Sequence, residues 1–388
     1  MIAFVSRGVL VLAILLGVLT GAATGWDNSS SAGQSPPRTA PKHYLLLVNT
    51  AIAFMMTEAE LHQFDQSAYD GLAIAPLHAY DTSRPPSVAA MDAEMREWKQ
   101  FTHKDIWPWV YINRMIAMNP KENNPHSDTP YFRKIAGADL DDAEGAQSDF
   151  LALWRNAIAS ARDSKMPGIV FDQEFYNNYA EYDIGELSRE SGKKPAEVVS
   201  KFEALGARMA DIASQEYPDS VLWFLWTGLT HAGYKTYDGV SYYPSPTYIA
   251  IGLLDEIAQK RLRLRVLTGG EGSLGYCHDT LDDFRSAIGK RDSDMKSTLE
   301  KYSGILETAG TMTLWSDRRA NQVCKTASAP TIEDLEPYLD LLFESYRYNW
   351  IWASGDGGYL AFAPGVAPRF DAVIRRSKAR SWTTPSTR

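Results

Sequence analysis

The sequence predicts a (β/α)8 barrel, and three observations support this fold class. Eight short apolar runs recur along the chain, as expected of buried strands. Longer amphipathic stretches with helical periodicity separate these runs. A doubly wound sheet is the main alternative, but no glycine-rich phosphate loop follows the first run. Strands that alternate with helices in this way are typical of a closed parallel barrel.

The predicted strands follow from the apolar runs in chain order. They are 44–49, 71–76, 107–113, 168–171, 221–227, 239–243, 264–268 and 350–353. The predicted helices between them include 88–102, 148–164, 195–216 and 332–346. Residues 118–149 carry Asn-Pro and paired aspartates, which indicates a loop inserted after the third strand.

The first residues predict export of the protein. Arg7 is followed by the apolar run 8–19 and then by small residues, so residues 1–23 have the pattern of a signal peptide. The run is shorter than the roughly 20 residues that span a bilayer. We assign 24–41 to a flexible leader, 42–378 to a single barrel domain and 379–388 to a disordered tail. The expected location is secreted or periplasmic.

Composition narrows the class of partner. The net charge of −9 argues against nucleic acid or an anionic membrane as a partner after signal cleavage. The 11 Trp and 20 Tyr suit a cleft in which flat rings stack on sugars, although for any single ring a place in the core is the favoured interpretation. We therefore expect a monomer with a carbohydrate substrate.

Cysteines and histidines give no sign of a cofactor. No Cys/His cluster has metal-ligand spacing, so neither a metal nor another cofactor is expected. The two cysteines are Cys277 and Cys324. An oxidising compartment would allow a disulfide between them, but the sequence does not show that they meet.

Two carboxylates follow the fourth predicted strand. Asp172 and Glu174 are spaced i, i+2, which places both side chains on one face if the strand continues through them. Neighbouring carboxylates at the end of a buried strand disfavour each other's ionisation, and burial disfavours both charges. Such pairs are typical of acid/base chemistry. Alternatively, Asp172 caps the next helix and Glu174 is a solvated residue of its first turn.

Other polar and aromatic residues follow the remaining predicted strands. Active sites of barrels of this kind lie at the C-terminal ends of the strands, so these residues would share one rim. The candidate substrate-binding residues are Asn49, Asn113, Arg114, Trp226, Tyr243, Trp352 and Asp356. Carboxylates, amides and aromatic rings on one rim fit a sugar-cleaving site better than a phosphate or hydride-transfer site.

Three of these candidates have a second interpretation. Arg114 either binds a substrate carboxylate or pairs with Asp172. Trp226 is either a sugar platform or part of the barrel wall. Asp356 lies between glycines and serves either as a turn residue or as a substrate contact.

Glu174 after the fourth strand and Glu271 after the predicted seventh strand resemble the retaining glycosidase clan built on (β/α)8 barrels. This resemblance implies that Glu174 is the acid/base and Glu271 the nucleophile, with a carboxylate separation of roughly 5 to 5.5 Å. It also places Gln173 where the clan typically has an Asn that binds the sugar 2-hydroxyl. Glycines around Glu271 permit turns that would aim it inward. Alternatively, Glu271 is a solvated loop residue.

The segment Gly168–Phe175 is also similar to the strand-four motif of family-18 chitinases, Asp-Gly-Ile-Asp-Phe-Asp-x-Glu-Tyr. Val170 replaces one aspartate and Phe175 replaces the tyrosine. This resemblance implies that Glu174 protonates the leaving oxygen while Asp172 orients the substrate acetamido group, which serves as the nucleophile.

The chitinase resemblance extends to two aromatic residues, with Tyr243 at the place of a strand-six tyrosine and Trp352 at that of a strand-eight tryptophan. Both resemblances imply a glycoside hydrolase in which Glu174 is the proton donor. A non-catalytic barrel that binds sugar with the same rim is the alternative from another class.

Overall fold

The computed structural model of the protein describes residues 43–48, 58–74, 87–111, 146–173, 183–230, 235–274, 278, 280–314, 332, 334–353 and 367–383. Eight parallel strands close into a barrel, which confirms the predicted (β/α)8 fold. No helix among these residues has the length and apolar character needed to cross a bilayer.

The described part of the chain contains ten strands. They are β1 (Tyr44–Val48), β2 (Gly71–Ile74), β3 (Asp105–Tyr111), β4 (Gly168–Asp172), β5 (Val221–Phe224), β6 (Lys235–Tyr237), β7 (Val240–Tyr242), β8 (Arg265–Thr268), β9 (Leu306–Leu314) and β10 (Tyr348–Ala353). The order around the barrel is β1-β10-β9-β8-β5-β4-β3-β2. Strands β6 and β7 form a separate antiparallel hairpin.

Ten helices are described in the same ranges. They are α1 (Glu58–Gln66), α2 (Val88–Lys99), α3 (Ala146–Asp163), α4 (Ile184–Ser191), α5 (Pro195–Glu216), α6 (Ser245–Lys260), α7 (Glu271–Leu274), α8 (Leu281–Lys301), α9 (Leu335–Ser345) and α10 (Ala367–Thr383). Helix α10 extends five residues past Lys378, where the composition places the end of the barrel domain.

The core has two layers because strand side chains alternate between the barrel interior and the surrounding helices. Apolar residues on the outer faces pack against the helices in the larger cluster. The interior is filled mainly by aromatic rings. Trp107, Trp223 and Tyr348 form edge-on contacts there, with ring centroids 5.6 Å apart for Trp107 and Trp223 and 5.9 Å apart for Trp223 and Tyr348. These rings make the interior a packed core.

The predicted sixth strand, 239–243, is not a barrel strand. Its residues belong largely to β7, which pairs antiparallel with β6 across the two-residue turn Asp238-Gly239. Both turn residues have positive φ, 49° and 75°, as a type I′ hairpin turn requires. Asp-Gly between two strand-forming segments is a strong hairpin signal, and the strand prediction overlooked it.

A barrel strand was missed at Leu306–Leu314. This strand contains three threonines and no long apolar run, so a search for apolar runs passes over it. Threonine nevertheless has high β-propensity because its branched side chain packs well on a pleated surface. The predicted seventh strand, 264–268, is consequently the sixth strand of the barrel, and Leu306–Leu314 is the seventh.

Helices α5 and α6 approach each other through glycines. A Cβ on Gly206 would overlap the backbone carbonyl oxygen of Ile249, and a Cβ on Gly252 would overlap that of Glu203. The two helix backbones are therefore in direct contact, which leaves no room for a methyl group on either side.

We expect Gly206→Ala to lower the free energy of unfolding by about 1–3 kcal/mol, because an added methyl group overpacks this contact. Gly289→Ala is the matched control, since Gly289 also lies inside a helix but has nothing within 4 Å of its Cβ position. The control should raise stability by about 0.5–1 kcal/mol through helix propensity. Urea denaturation measures both changes, and a stabilising Gly206→Ala would contradict the close helix contact.

Candidate active site

Asp172 is the last residue of β4, the fourth strand of the barrel, as predicted. Val170 packs inside the barrel and Phe171 packs outside it, so alternation directs the Asp172 side chain towards the barrel interior. The residue is fully buried. A carboxylate at this depth loses most of its hydration, so it needs specific polar neighbours.

Gln173 follows directly and is also fully buried. Neither its amide nitrogen nor its amide oxygen has a hydrogen-bond partner among the described residues. Leaving a buried amide without partners costs about 1–3 kcal/mol for each group. A bound molecule that both donates and accepts hydrogen bonds would satisfy both ends of this amide.

Glu271 lies in the loop after β8 and begins the short helix α7. It is 6% exposed, so the interpretation of Glu271 as a solvated loop residue is wrong. Backbone hydrogen bonds from Gly269 N to Phe224 O (2.6 Å) and from Glu271 N to Leu225 O (3.1 Å) hold this loop against β5. Gly270 has a φ of +80°, the left-handed conformation that glycine adopts without strain.

The strand-seven position predicted for Glu271 is wrong. The strand before it, β8, is the sixth strand of the barrel, because the predicted sixth strand is part of a hairpin. The true seventh strand ends at Leu314, and the residues that follow it lie outside the described ranges. The positional match of Glu271 to the retaining clan is therefore lost.

Glu271 nevertheless lies near the level of Asp172. The register pairs Phe171 with Phe224 and Phe224 with Thr268. In barrels of this type the strand register shifts by about one residue from each strand to the next. When the paired residues are followed from β1 through β2 to β10, the path returns to β1 at an earlier residue. The residue level with a given position is therefore about one place further along on each following strand. On this count Trp352 lies at about the height of Asp172. Glu271 lies beyond the end of β8, and its backbone N–H donates to the carbonyl oxygen of Leu225, whose own N–H donates to Phe171 O at the end of β4. Asp172 and Glu271 thus share the C-terminal rim.

Two tryptophans lie at this rim. Trp226 follows β5 and is half-buried, and a Cβ on Gly272 would overlap its indole nitrogen. Trp352 lies on the eighth barrel strand, as predicted, and is half-buried. Its ring meets that of Trp109 edge-on, with centroids 6.2 Å apart.

Tyr243 does not lie at the end of a barrel strand, so its predicted strand-six position is wrong. It follows the β6–β7 hairpin and precedes α6. Its backbone N–H donates to the hydroxyl of Tyr248 (3.1 Å), and the two rings pack edge-on with centroids 6.1 Å apart. The hairpin turn at Asp238-Gly239 is the reason for the error.

The remaining predicted site residues lie outside the described ranges. They are Asn49, Asn113, Arg114, Glu174 and Asp356, together with the cysteines Cys277 and Cys324. Within the part of the chain that the structure describes, no group of three or more His, Cys, Asp or Glu residues could hold a metal ion.

The sequence prediction missed Arg291 of α8, whose side chain reaches the strands just below this rim. Arg291 is 1% exposed and donates to the carbonyl oxygens of Thr268 (2.6 Å) and Ala309 (2.7 Å). Burial lowers the pKa of this guanidinium from its usual value, while the nearby Tyr346 hydroxyl opposes the shift. In the sequence Arg291 stands between Lys290 and Asp292 and looks like part of a solvated helix face.

Comparison with known proteins finds similar solved structures at low sequence identity. No family model matches the sequence, and no curated protein matches it. An endo-β-mannanase/endo-β-glucanase of Prevotella bryantii has 10% identity and a TM-score of 0.48, with 87% of this chain and 48% of that chain covered. A broad-specificity endoglucanase of Clostridium longisporum has 7% identity and a TM-score of 0.48, with 84% and 87% covered.

Similar solved structures also include another class of enzyme. A sugar phosphate isomerase/epimerase of Parabacteroides distasonis has 6% identity and a TM-score of 0.41, with 88% of this chain and 99% of that chain covered. All three TM-scores lie below 0.5. The function therefore has to be argued from the residues of the rim.

Proposed function

We propose that the protein is an exported glycoside hydrolase that binds a glycan across the C-terminal rim of the barrel and needs no cofactor. Glu174 is the proton donor, Asp172 is its electrostatic partner, and Glu271 is the second carboxylate of the reaction. The observation that most supports this proposal is the burial of Asp172 and Glu271 at about the same level of the rim.

Glycoside hydrolysis usually requires two carboxyl groups, and Glu174 and Glu271 are the two in this proposal. One group protonates the leaving oxygen, and the other either attacks the anomeric carbon or activates a water molecule. The half-buried Trp226 and Trp352 offer flat apolar faces for sugar rings. The buried amide of Gln173 suits a sugar hydroxyl, which donates and accepts hydrogen bonds at the same time. A site for phosphate transfer would instead call for a basic or glycine-rich phosphate cradle.

Glu174→Gln tests the proposal. We expect kcat to fall about 100- to 10,000-fold, because Gln keeps the shape of the side chain but has no proton to donate. Reducing-sugar release from soluble β-glucan, β-mannan, xylan and chitin oligosaccharides measures the activity. Glu190→Gln is the control, since Glu190 is exposed on α4, and it should leave kcat unchanged.

A non-catalytic sugar-binding barrel gives a different result in the same experiment. Such a protein would bind one of these glycans in a calorimeter, and neither the natural chain nor Glu174→Gln would release reducing sugar. Lack of turnover on the whole panel would therefore contradict the hydrolase proposal.

A substrate-assisted reaction is the second candidate, and the inward direction and full burial of Asp172 favour it. In that reaction Asp172 orients the acetamido group of the substrate, and the carbonyl oxygen of that group attacks the anomeric carbon. The two candidates differ in substrate. Hydrolysis of N-acetylglucosamine oligosaccharides, without hydrolysis of glucose oligosaccharides of equal length, would favour the substrate-assisted reaction.

A further inference from the structure

The sixth and seventh strands of the barrel, β8 and β9, are paired over only part of their length. We call the place beyond the last pair, Thr268 and Thr308, the seam. Strand β9 continues from Ala309 to Leu314 and pairs there with β10 on its other side. Within the described ladders, the upper part of β9 therefore has a strand neighbour on one side only.

The chain leaves this seam in the direction of β5. After Thr268, the backbone N–H groups of Gly269 and Glu271 donate to carbonyl oxygens at the end of β5. The Gly269 carbonyl oxygen accepts a hydrogen bond from the indole of Trp350 (2.8 Å). The loop that carries Glu271 is thereby bonded to the end of β5, and no ladder pair between β8 and β9 is described beyond Thr268 and Thr308.

Arg291 fills the seam. One guanidinium nitrogen donates to Thr268 O on the β8 side, and another donates to Ala309 O on the β9 side. The guanidinium also lies 5.0 Å from the centroid of the Tyr346 ring, a favourable distance for a cation–π interaction. A single side chain therefore joins the two strands where the ladder between them has ended.

The guanidinium also contacts the loop itself. A Cβ on Gly270 would lie 2.6 Å from Arg291 Cζ and 2.7 Å from one of its terminal nitrogens. Gly270 immediately precedes Glu271, so the side chain of Arg291 limits how closely the backbone of this loop can approach α8. Burying a guanidinium without an ion pair is expensive, and Arg291 forms none with the residues that the structure describes.

We propose that Arg291 is a positioning residue of the candidate active site, which fixes the backbone of the Gly269–Leu274 loop and through it the carboxylate of Glu271. This inference rests on the proposed function, because it assigns Arg291 a role in catalysis through Glu271. The planar fork of arginine suits the task, since it can donate to two carbonyl groups in fixed directions, whereas lysine has a single donor atom.

The test compares Arg291→Lys with Arg285→Lys. The first variant keeps the buried charge but removes the fork, and the second makes the same change at an exposed position on the same helix. Hydrogen exchange followed by NMR reports on the loop without any substrate. We expect the amides of Gly269 and Glu271 to exchange at least about 10-fold faster in Arg291→Lys, because exchange requires the loop to open. The Leu225 amide, bonded to Phe171 O on the other side of β5, should be unchanged.

Turnover on the glycan that the natural chain cleaves fastest gives the second measurement. We expect Arg291→Lys to lower kcat about 100-fold with KM changed less than threefold, as for a small displacement of a reacting group. If Arg291→Lys does not fold, Arg291→Gln removes the same fork with a smaller, uncharged side chain and should give the same pattern.

Two results would overturn the inference. Unchanged exchange of Gly269 and Glu271 would show that Arg291 does not hold the loop. Faster exchange with unchanged kcat would restrict Arg291 to a structural role. If the natural chain has no activity on any glycan, the proposed hydrolase function is contradicted. The hydrogen-exchange measurement uses no substrate, so it tests the contact between Arg291 and the loop in either case.

Discussion

Glu271→Gln is expected to lower kcat by at least about 1,000-fold while the protein remains folded, if Glu271 is the nucleophile or base of the reaction. Gln has nearly the same volume as Glu, so the buried site at the start of α7 keeps its packing. The change removes the negative charge that attacks the anomeric carbon or activates water. Rates on the best glycan and circular dichroism of the variant measure the two parts of this prediction.

The result also separates the two proposed mechanisms. If Glu271→Gln keeps its kcat and Asp172→Asn loses activity, Glu271 is not the nucleophile and the substrate-assisted reaction is favoured. Glu271 follows the sixth strand of the barrel and not the seventh. The role of Glu271 now depends on its burial and its level on the rim.

Trp223→Ala is expected to lower the free energy of unfolding by about 3–5 kcal/mol, the largest effect on stability that we predict. Trp223 is fully buried inside the barrel, and its ring lies within 6.1 Å of the rings of Tyr44, Trp107 and Tyr348. Its removal leaves a cavity that the closed strands cannot collapse to fill. Guanidinium denaturation measures the change.

Trp223→Phe is the matched control for this cavity. The indole nitrogen of Trp223 has no hydrogen-bond partner among the described residues, so Phe removes no hydrogen bond and keeps part of the aromatic contact. Its cost should be well under half that of Trp223→Ala. Equal costs for both variants would indicate that packing in the barrel interior is not the source of the stability.

The fold could be predicted because most barrel strands are buried on both faces and appear as apolar runs, such as Leu45–Val48 and Ile169–Phe171. The seventh strand could not be found in this way, since Leu306–Leu314 relies on the β-propensity of threonine. One missed strand and one false strand cancelled in the count of eight. The predicted fold was therefore correct, although the predicted sixth and seventh strands were not the sixth and seventh strands of the barrel.

The position of a candidate site residue could be predicted where it directly follows an apolar run that marks a strand. Asp172 ends a strand that the sequence identifies, Gln173 follows it directly, and both are buried. The strand number assigned to Glu271 depended on a correct count of every earlier strand. Because the hairpin was counted as a barrel strand, Glu271 was assigned to the seventh strand instead of the sixth. Arg291 was beyond prediction, because its burial results from a gap between β8 and β9 that only the closed barrel creates.

The hairpin that caused this error has a consequence for how such a chain can evolve. Lys235 pairs directly with Tyr242, so the chain returns to within about 4.5–5.5 Å of the point where the hairpin began. An insertion that closes on itself leaves the path from β5 to α6 almost unchanged. The β6–β7 hairpin can therefore be gained, lost or exchanged at the rim while the order of the barrel strands is preserved.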